Sequence, residues 1–490
     1  MTLRNANRML IIISVLLTAV SAGIAEGIPY AYNLNVASLL LILHLLLLTA
    51  SFLNDKLIDI LISTLLIFYV SRIGVLQIDL SYYYYNNIYH NPPSQQEMAD
   101  ILLLLFYVSF GLLLGCFFGR LKRSTSALKI NLYNVPEHDE RVYYRYILLV
   151  VIISKLIIIW AGLNSGAGLK ISLENIDIFY LRLVKYATFL SSLDIVPIAW
   201  LILQKPIGKE KKATIIAITL CVITGLFTLS KVTLIYAILP FIIVYYIAGL
   251  PIPKRLYKAL WVIVFISLFV IFPLMVALQG FIVAELFGGG GGNIVDSFSQ
   301  SHSILNLLLT ASTRIYSSYD VFCFVFLNKN EFISHSNLFN EFVEVINGFY
   351  PGGFWSIDVP RWSQILFSVA NRQIDLDLLM KIGTGDNISL PGHIFVYYGG
   401  LGLFILSFIV MYYYSVIYNT NNSVFVKYFI ISQIIFGISN GAGLVNSLLL
   451  FPLTFIYITF FHLSYLLMRQ VLRFLKLSGT KCVETCVLNP

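Results

Sequence analysis

Charge is what this 490-residue chain has least of. Asp, Glu, Lys and Arg make up 11% of it, against about 25% in a soluble globular protein. A soluble chain of this length would form about three domains, and those domains would need a polar surface that so few charges cannot supply. The shortage excludes a soluble enzyme, a nucleic-acid-binding protein and a disordered chain. Cysteine is also scarce. Five are scattered along the chain, which gives no disulfide framework. Cys116, Cys221 and Cys323 sit in apolar context as packing residues, and Cys482 and Cys486 make a lone C-x3-C in the tail, two ligands short of a structural zinc site. Of the histidines, His44, His90, His138, His302, His335, His393 and His462, none pair as H-E-x-x-H, so that metal motif is missing. The G-x-S-x-G nucleophile elbow is missing too, as is any internal repeat. Acids within the apolar segments are few, chiefly Glu26 and Asp194, which argues against a proton or cation pathway.

What is present is apolar surface. Hydrophobic residues make up 58% of the chain, and mean hydropathy is +0.84. The apolar runs are long and continuous, which favours helices over the short alternating strands of a β-barrel. A bilayer core takes about 20 apolar residues per helix. By that measure the fold class is an all-α polytopic integral membrane protein of about twelve transmembrane helices. They run roughly over 9–28, 34–53, 57–76, 100–119, 144–163, 183–203, 213–230, 232–250, 258–278, 394–416, 424–441 and 446–468. The run 213–250 is too long for one helix and is interrupted only near Thr228, Leu229, Ser230 and Lys231, so it reads as a tight hairpin. The first segment has the look of a signal peptide, with Arg4 and Arg8 before an apolar run, but its near-spanning length favours an uncleaved helix.

Lys and Arg set the orientation. With the N-terminus inside, the inner segments collect most of these residues, among them Arg4, Arg8, Lys56, Arg120, Lys122, Arg123, Arg145, Lys209, Lys254 and Lys427. The outer loop 77–99 has none. Both termini are then cytoplasmic. The chain divides into residues 1–278 (helices 1 to 9), a large outer loop over 279–393, and residues 394–490 (helices 10 to 12 and a cytoplasmic tail). The loop opens on five glycines at 288–292, a flexible stretch without the Lys-Ser/Thr of a phosphate loop. Residues 299–327 read as an amphipathic helix lying on the membrane surface, with Leu308, Ile315, Tyr319, Phe322 and Phe326 near helical spacing. The stretches 347–363 and 383–393 are rich in Gly and Pro and read as irregular structure.

The remaining cations lie in the bilayer or outside it. Arg72 and Lys231 are candidate substrate contacts, with snorkelling to the interface as the alternative. Lys155 is deepest by count and needs an interior partner, for which Asp194 is a candidate. Arg314, Arg361 and Arg372 in the large loop suit an anionic ligand, since a guanidinium grips phosphate in two places. Outside the membrane that ligand would be a lipid phosphate or a lipid-linked sugar pyrophosphate. His44, in an apolar helix, reads as a core residue. His393 closes the loop at a helix mouth.

Three local patterns carry a resemblance. They are Pro360-Arg361-Trp362, Arg372 followed by Gly383, and Ser389-Leu390-Pro391-Gly392 leading into Tyr397-Tyr398-Gly399-Gly400-Leu401-Gly402-Leu403. In these and in its topology the chain resembles the oligosaccharide repeat-unit polymerases of the O-antigen type. The resemblance implies a metal-independent glycosyltransferase, without cofactor, in the inner membrane of a bacterium. Its substrate would be an undecaprenyl-pyrophosphate-linked oligosaccharide held among membrane lipids, and a chain-length regulator is an implied partner. Arg372, Arg361 and Arg314 would face the pyrophosphate or glycan. Asp386 or His393 would orient or deprotonate the acceptor hydroxyl, with a plain turn role as the alternative for Asp386. Tyr350, Trp355, Trp362 and Tyr397 would contact sugars. The rival expectations are an O-antigen ligase, which shares the architecture and carries an outer-loop histidine before a similar helix start, and a flippase, for which the large outer loop is unexpected.

Overall fold

The computed structural model describes residues 3–23, 34–70, 93–122, 140–165, 193–227, 231–266, 317–335, 338–349, 388–421, 423–439 and 462–471, with a few isolated positions between them. Among these residues the fold is helical throughout, with no β-strand. The helices are α1 (Leu3–Gly23), α2 (Leu34–Ala50), α3 (Lys56–Leu65), α4 (Gln95–Gly119), α5 (Glu140–Ser165), α6 (Ile195–Leu203), α7 (Gly208–Phe227), α8 (Lys231–Ala248) and α9 (Lys254–Ile266), then α10 (Ser317–Leu327), α11 (Lys329–His335), α12 (Leu338–Phe349), α13 (Leu390–Thr420) and α14 (Val424–Ser439). Among the described residues, four stretches are long and apolar enough to cross a membrane: Leu34–Leu53, Gln95–Gly119, Val142–Trp160 and Leu390–Thr420. The apolar run 213–250 does divide, into α7 and α8, which pack on each other.

Local signals explain where the helices begin. Ser94 and Glu97 form a capping box at α4. The Glu97 amide donates to Ser94 Oγ (3.3 Å) and the Ser94 amide to Glu97 Oε2 (2.7 Å), which satisfies two otherwise orphaned N–H groups. Asp55 caps α3 by accepting from the amides of Leu57 (2.8 Å) and Ile58 (3.3 Å). Pro391 lies in the first turn of α13, where a missing N–H costs nothing. α3 runs on into a single π-helical turn, Leu66–Val70.

The closest helix pair is α4 with α13, and the two run parallel, Leu104 lying beside Gly400 and Gly119 beside Ser415. Glycines one turn apart permit the approach. A Cβ at Gly111 would stand 2.5 Å from the Phe404 carbonyl oxygen, one at Gly115 would strike the Phe408 carbonyl oxygen, and one at Gly119 would stand 2.5 Å from Ser415 Cβ. Ser415 Oγ donates to the Cys116 carbonyl (3.0 Å) across the same seam. Stacking of Phe110 on Phe404 (5.7 Å between centroids) lines its edge. Where lipid tails are as apolar as the side chains, such close backbone packing is a main source of helix association.

Two interior polar contacts follow from the bilayer's intolerance of bare charge and unbonded polar atoms. Lys155 Nζ meets Asp194 Oδ2 at 2.5 Å, with the lysine side chain 3% exposed. His44 donates from Nδ1 to the Leu40 carbonyl (2.6 Å), and its Nε2 bonds Ser14 Oγ (2.7 Å), the satisfied core role expected of it. Lys155→Ala should leave the Asp194 charge uncompensated and cost about 3–5 kcal/mol, whereas Lys155→Met with Asp194→Leu should recover most of that loss. Thermal unfolding in nanodiscs checks this. Equal destabilisation by the single and the double variant would mean the ion pair is not what the interior depends on.

One expectation changes in the large loop. Within 299–327, residues 317–327 are helical as α10, but they do not lie on a surface. Tyr319, Val321, Phe322, Cys323, Phe324 and Val325 are all buried, because from Val321 onward this stretch is apolar on every face and it packs between the π turn and the start of α13. Further along, α12 leaves Phe339 and Phe342 exposed while Glu341 and Val343 are buried.

Candidate functional site

Polar groups gather at the two ends of the bundle. At one end Arg4 donates from Nε (3.2 Å) and Nη2 (3.0 Å) to the Asp59 carboxylate, and that bonding raises the guanidinium above its already high ordinary pKa. Asn7 Nδ2 donates to the Asp59 carbonyl (2.8 Å) and Tyr246 OH to Asp59 Oδ2 (3.2 Å). Lys56 Nζ reaches the Ile247 carbonyl (2.9 Å), Arg8 binds Ser51 through its hydroxyl (3.1 Å) and carbonyl (3.0 Å), and Arg120 binds the Leu53 carbonyl (2.5 Å). These cations are engaged in tying α1, α3, α4 and α8 together. The arrangement is a clamp.

The opposite end is built differently. α13 begins there, as does α4, and α3 ends there in its π turn. α10, α11 and α12 cover the first turns of α13. His393 Nδ1 lies 3.4 Å from Glu341 Oε2, at the long edge of hydrogen-bonding distance, and the two side chains are 1% and 2% exposed. Tyr69, carried by the π turn, donates to the Ile438 carbonyl (2.7 Å) and shares a 3.0 Å hydrogen bond with Ser389 Oγ. Asp320 is buried in α10. Lys329 Nζ sits 4.8 Å from the centroid of Phe395, whose ring also meets Phe322 (6.3 Å) and Phe326 (5.5 Å). A buried histidine against a buried carboxylate in an otherwise apolar setting is chemically pointed: the carboxylate can hold one ring nitrogen protonated, which leaves the other as a proton acceptor.

Of the expected site residues, the structure describes His393 and Tyr397 in full. Tyr397 is half-buried one turn along α13 from His393, edge-on to Tyr398. Lys231 is the first residue of α8, and its side chain lies outside the described residues. Arg72, Arg314, Tyr350, Trp355, Arg361, Trp362, Arg372 and Asp386 lie outside them as well. Sequence reasoning missed Glu341 as His393's partner, and it missed Asp320. The available signal was an acid among apolar residues in Leu338-Phe339-Asn340-Glu341-Phe342-Val343, a position that a solvated loop would not need to make apolar on both sides.

Helices of this length and composition put the protein in the class of helical membrane proteins. No family model, curated protein or solved structure matches the chain.

Proposed function

We propose that this protein is a membrane glycosyltransferase that polymerises undecaprenyl-pyrophosphate-linked oligosaccharide repeat units into a surface polysaccharide. On this reading about twelve helices cross a bacterial inner membrane, the clamp of Arg4, Arg8, Lys56 and Arg120 marks the cytoplasmic end, and His393 belongs to the outer end. The observation that carries the reading is the buried His393–Glu341 pair at the mouth of α13, within the segment that bears the polymerase-like residues.

The chemistry is a displacement. The acceptor sugar hydroxyl of a new lipid-linked repeat attacks the anomeric carbon of the growing chain. A carbon–oxygen bond forms to the acceptor as the bond to the pyrophosphate oxygen breaks. His393 takes the hydroxyl proton on Nε2 while Glu341 holds Nδ1–H. The pyrophosphate leaves as an anion, and Arg314, Arg361 and Arg372 are the cations assigned to stabilise it. Arg72 and Lys231 contact the lipid phosphate, the aromatics Tyr350, Trp355, Trp362 and Tyr397 stack on sugars, and Asp386 orients the acceptor. Holding two lipid-linked substrates in register removes much of the entropic barrier.

A ligase is the second reading, favoured by the histidine placed just before the glycine-rich part of α13. One experiment separates the readings. The gene is deleted in its host, and the surface glycan is run on a silver-stained gel beside complements of wild type and Arg372→Ala. Single-repeat glycan in the deletion, restored by wild type and not by the variant, is the expected result. Loss of all surface glycan with long lipid-linked chains retained would instead identify a ligase. Unpolymerised lipid-linked units trapped inside would identify a flippase.

A further inference from the structure

We propose that Gly399 is a hinge: the outer end of α13 with its covering helices turns on it as a lid, and straightening of the helix there opens the way to His393. The inference rests on the reading above in one respect only, that the His393–Glu341 pair must meet a glycan. The pair is 1% and 2% exposed, so a sugar hydroxyl reaches it only if something moves.

The backbone says where. Inside α13, Gly399 has φ 66° and ψ −161°, a conformation open essentially to glycine alone. Space is not the constraint, since a Cβ there would find only Lys329 Nζ, at 3.8 Å. The helix is two helical pieces joined across this residue, and each piece belongs to a different body. After the break, α13 is locked to α4 along Gly111, Gly115 and Gly119, and a Cβ at Gly400 would stand 3.1 Å from Leu104 Cδ2. Before it, residues 390–396 are buried against α10, α11 and α12, with Phe395 among Phe322 and Phe326 and with His393 against Glu341. Tyr69 holds the seam between the bodies. It is anchored to α14 at Ile438 and touches the lid through Ser389 and the Phe322 ring (6.4 Å). Tyr69 is therefore the latch, while Lys329, its ammonium over Phe395 and beside Gly399, braces the lid itself. Tyr398 folds back onto Gly402, where a Cβ would collide with it. The broken helix is therefore the closed state, and anything that penalises the φ of Gly399 or removes the Tyr69 hydroxyl from the seam shifts the population towards the open one.

Two native cysteines report on the two bodies. Cys323 is fully buried in α10, on the lid, and Cys116 is fully buried in α4. Proteins retaining only one or the other, with the remaining four cysteines replaced by alanine, are placed in lipid nanodiscs and reacted with a polar maleimide. Gly399→Ala and Tyr69→Phe should each speed Cys323 labelling by about tenfold or more and leave Cys116 labelling unchanged. Labelling that speeds up at both cysteines, or at neither, overturns the hinge. If Gly399→Ala does not fold, Tyr69→Phe decides alone, because it removes only the hydroxyl that bonds Ser389 and Ile438 and leaves the α13 backbone untouched. The cellular glycan separates this inference from the reading beneath it. Lid labelling as expected with full polymer from His393→Ala would keep the hinge and remove the pair from the chemistry. Unchanged labelling with polymer lost from His393→Ala would do the reverse.

Discussion

On the polymerase reading, alanine at His393 should slow polymer growth by roughly 10²–10⁴-fold, the range a positioned general base contributes, and leave single-repeat glycan in place of a ladder. An acceptor hydroxyl is a poor nucleophile until its proton has somewhere to go, and His393 lies where α13 meets the covering helices with a carboxylate 3.4 Å from Nδ1. A carboxylate at that distance favours the tautomer with its proton on Nδ1, and so leaves Nε2 with its lone pair. Glu341→Gln should therefore cost a comparable factor, because an amide NH2 facing Nδ1 favours the tautomer with its proton on Nε2. Glu341→Asp, which keeps the charge and shortens the reach, should cost less. Ladder growth is followed in membrane vesicles supplied with lipid-linked repeats, with protein level and unfolding temperature measured beside it. His393→Gln, nearer the native volume, separates lost chemistry from a cavity in the core. A normal ladder from a folded His393→Gln variant would take His393 out of the reaction. Full activity in Glu341→Gln beside an inactive His393→Gln would leave the base and remove its orienting partner.

Much of the frame is legible in the sequence, because the bilayer makes few exceptions. Lys155 had to find an opposite charge inside, and Asp194 was the acid at hand. The run 213–250 had to divide, because it is too long to cross once, and α7 and α8 are separate helices. Ser94 and Glu97 are spaced as a capping box, and α4 begins after Ser94. Other features were not legible for equally physical reasons. From Val321 onward α10 is apolar on every face, so helical spacing alone could not say whether a membrane or a protein covers it, and the structure shows protein. Glu341 looks in sequence like one more loop acid, because only its partner on α13 makes it buried. The pattern Tyr397-Tyr398-Gly399-Gly400 reads as a helix start, and the left-handed backbone at Gly399 puts a break there inside a longer helix. The π turn that presents Tyr69 leaves no trace in hydropathy, which registers how apolar a segment is and not how tightly it winds. The glycines at 111, 115 and 119 were readable by their four-residue spacing, but a count of apolar residues passes over them.

Those glycines carry a large expected effect on stability. Gly115→Leu should cost about 3 kcal/mol or more, at or beyond the upper end for an overpacked core site, and should deplete folded protein from the membrane. The atom in the way explains the size. A Cβ at Gly115 meets the Phe408 carbonyl oxygen, the Tyr412 amide nitrogen at 2.8 Å and Met411 Cβ at 3.1 Å. A side chain in the way can change rotamer, but a carbonyl and an amide inside a helix cannot move without opening α13's own hydrogen bonds, which in a bilayer find no water to replace them. α4 and α13 would have to separate, and the Ser415 to Cys116 bond and the stack of Phe110 on Phe404 would go with them. Gly437→Ala is the control. Its Cβ would stand 3.6 Å from Ser447 Oγ and 3.9 Å from Leu390, ordinary contacts that the packing can accept. Monodispersity and unfolding temperature in nanodiscs compare the two, and equal behaviour would show that close approach along α4 and α13 is not what holds the bundle. The two helices matter beyond stability because α13 carries His393. A seam that separates at Gly115 releases the helix on which the outer end depends, so Gly115→Leu should lose the glycan ladder together with the fold, whereas His393→Gln should lose the ladder and keep it.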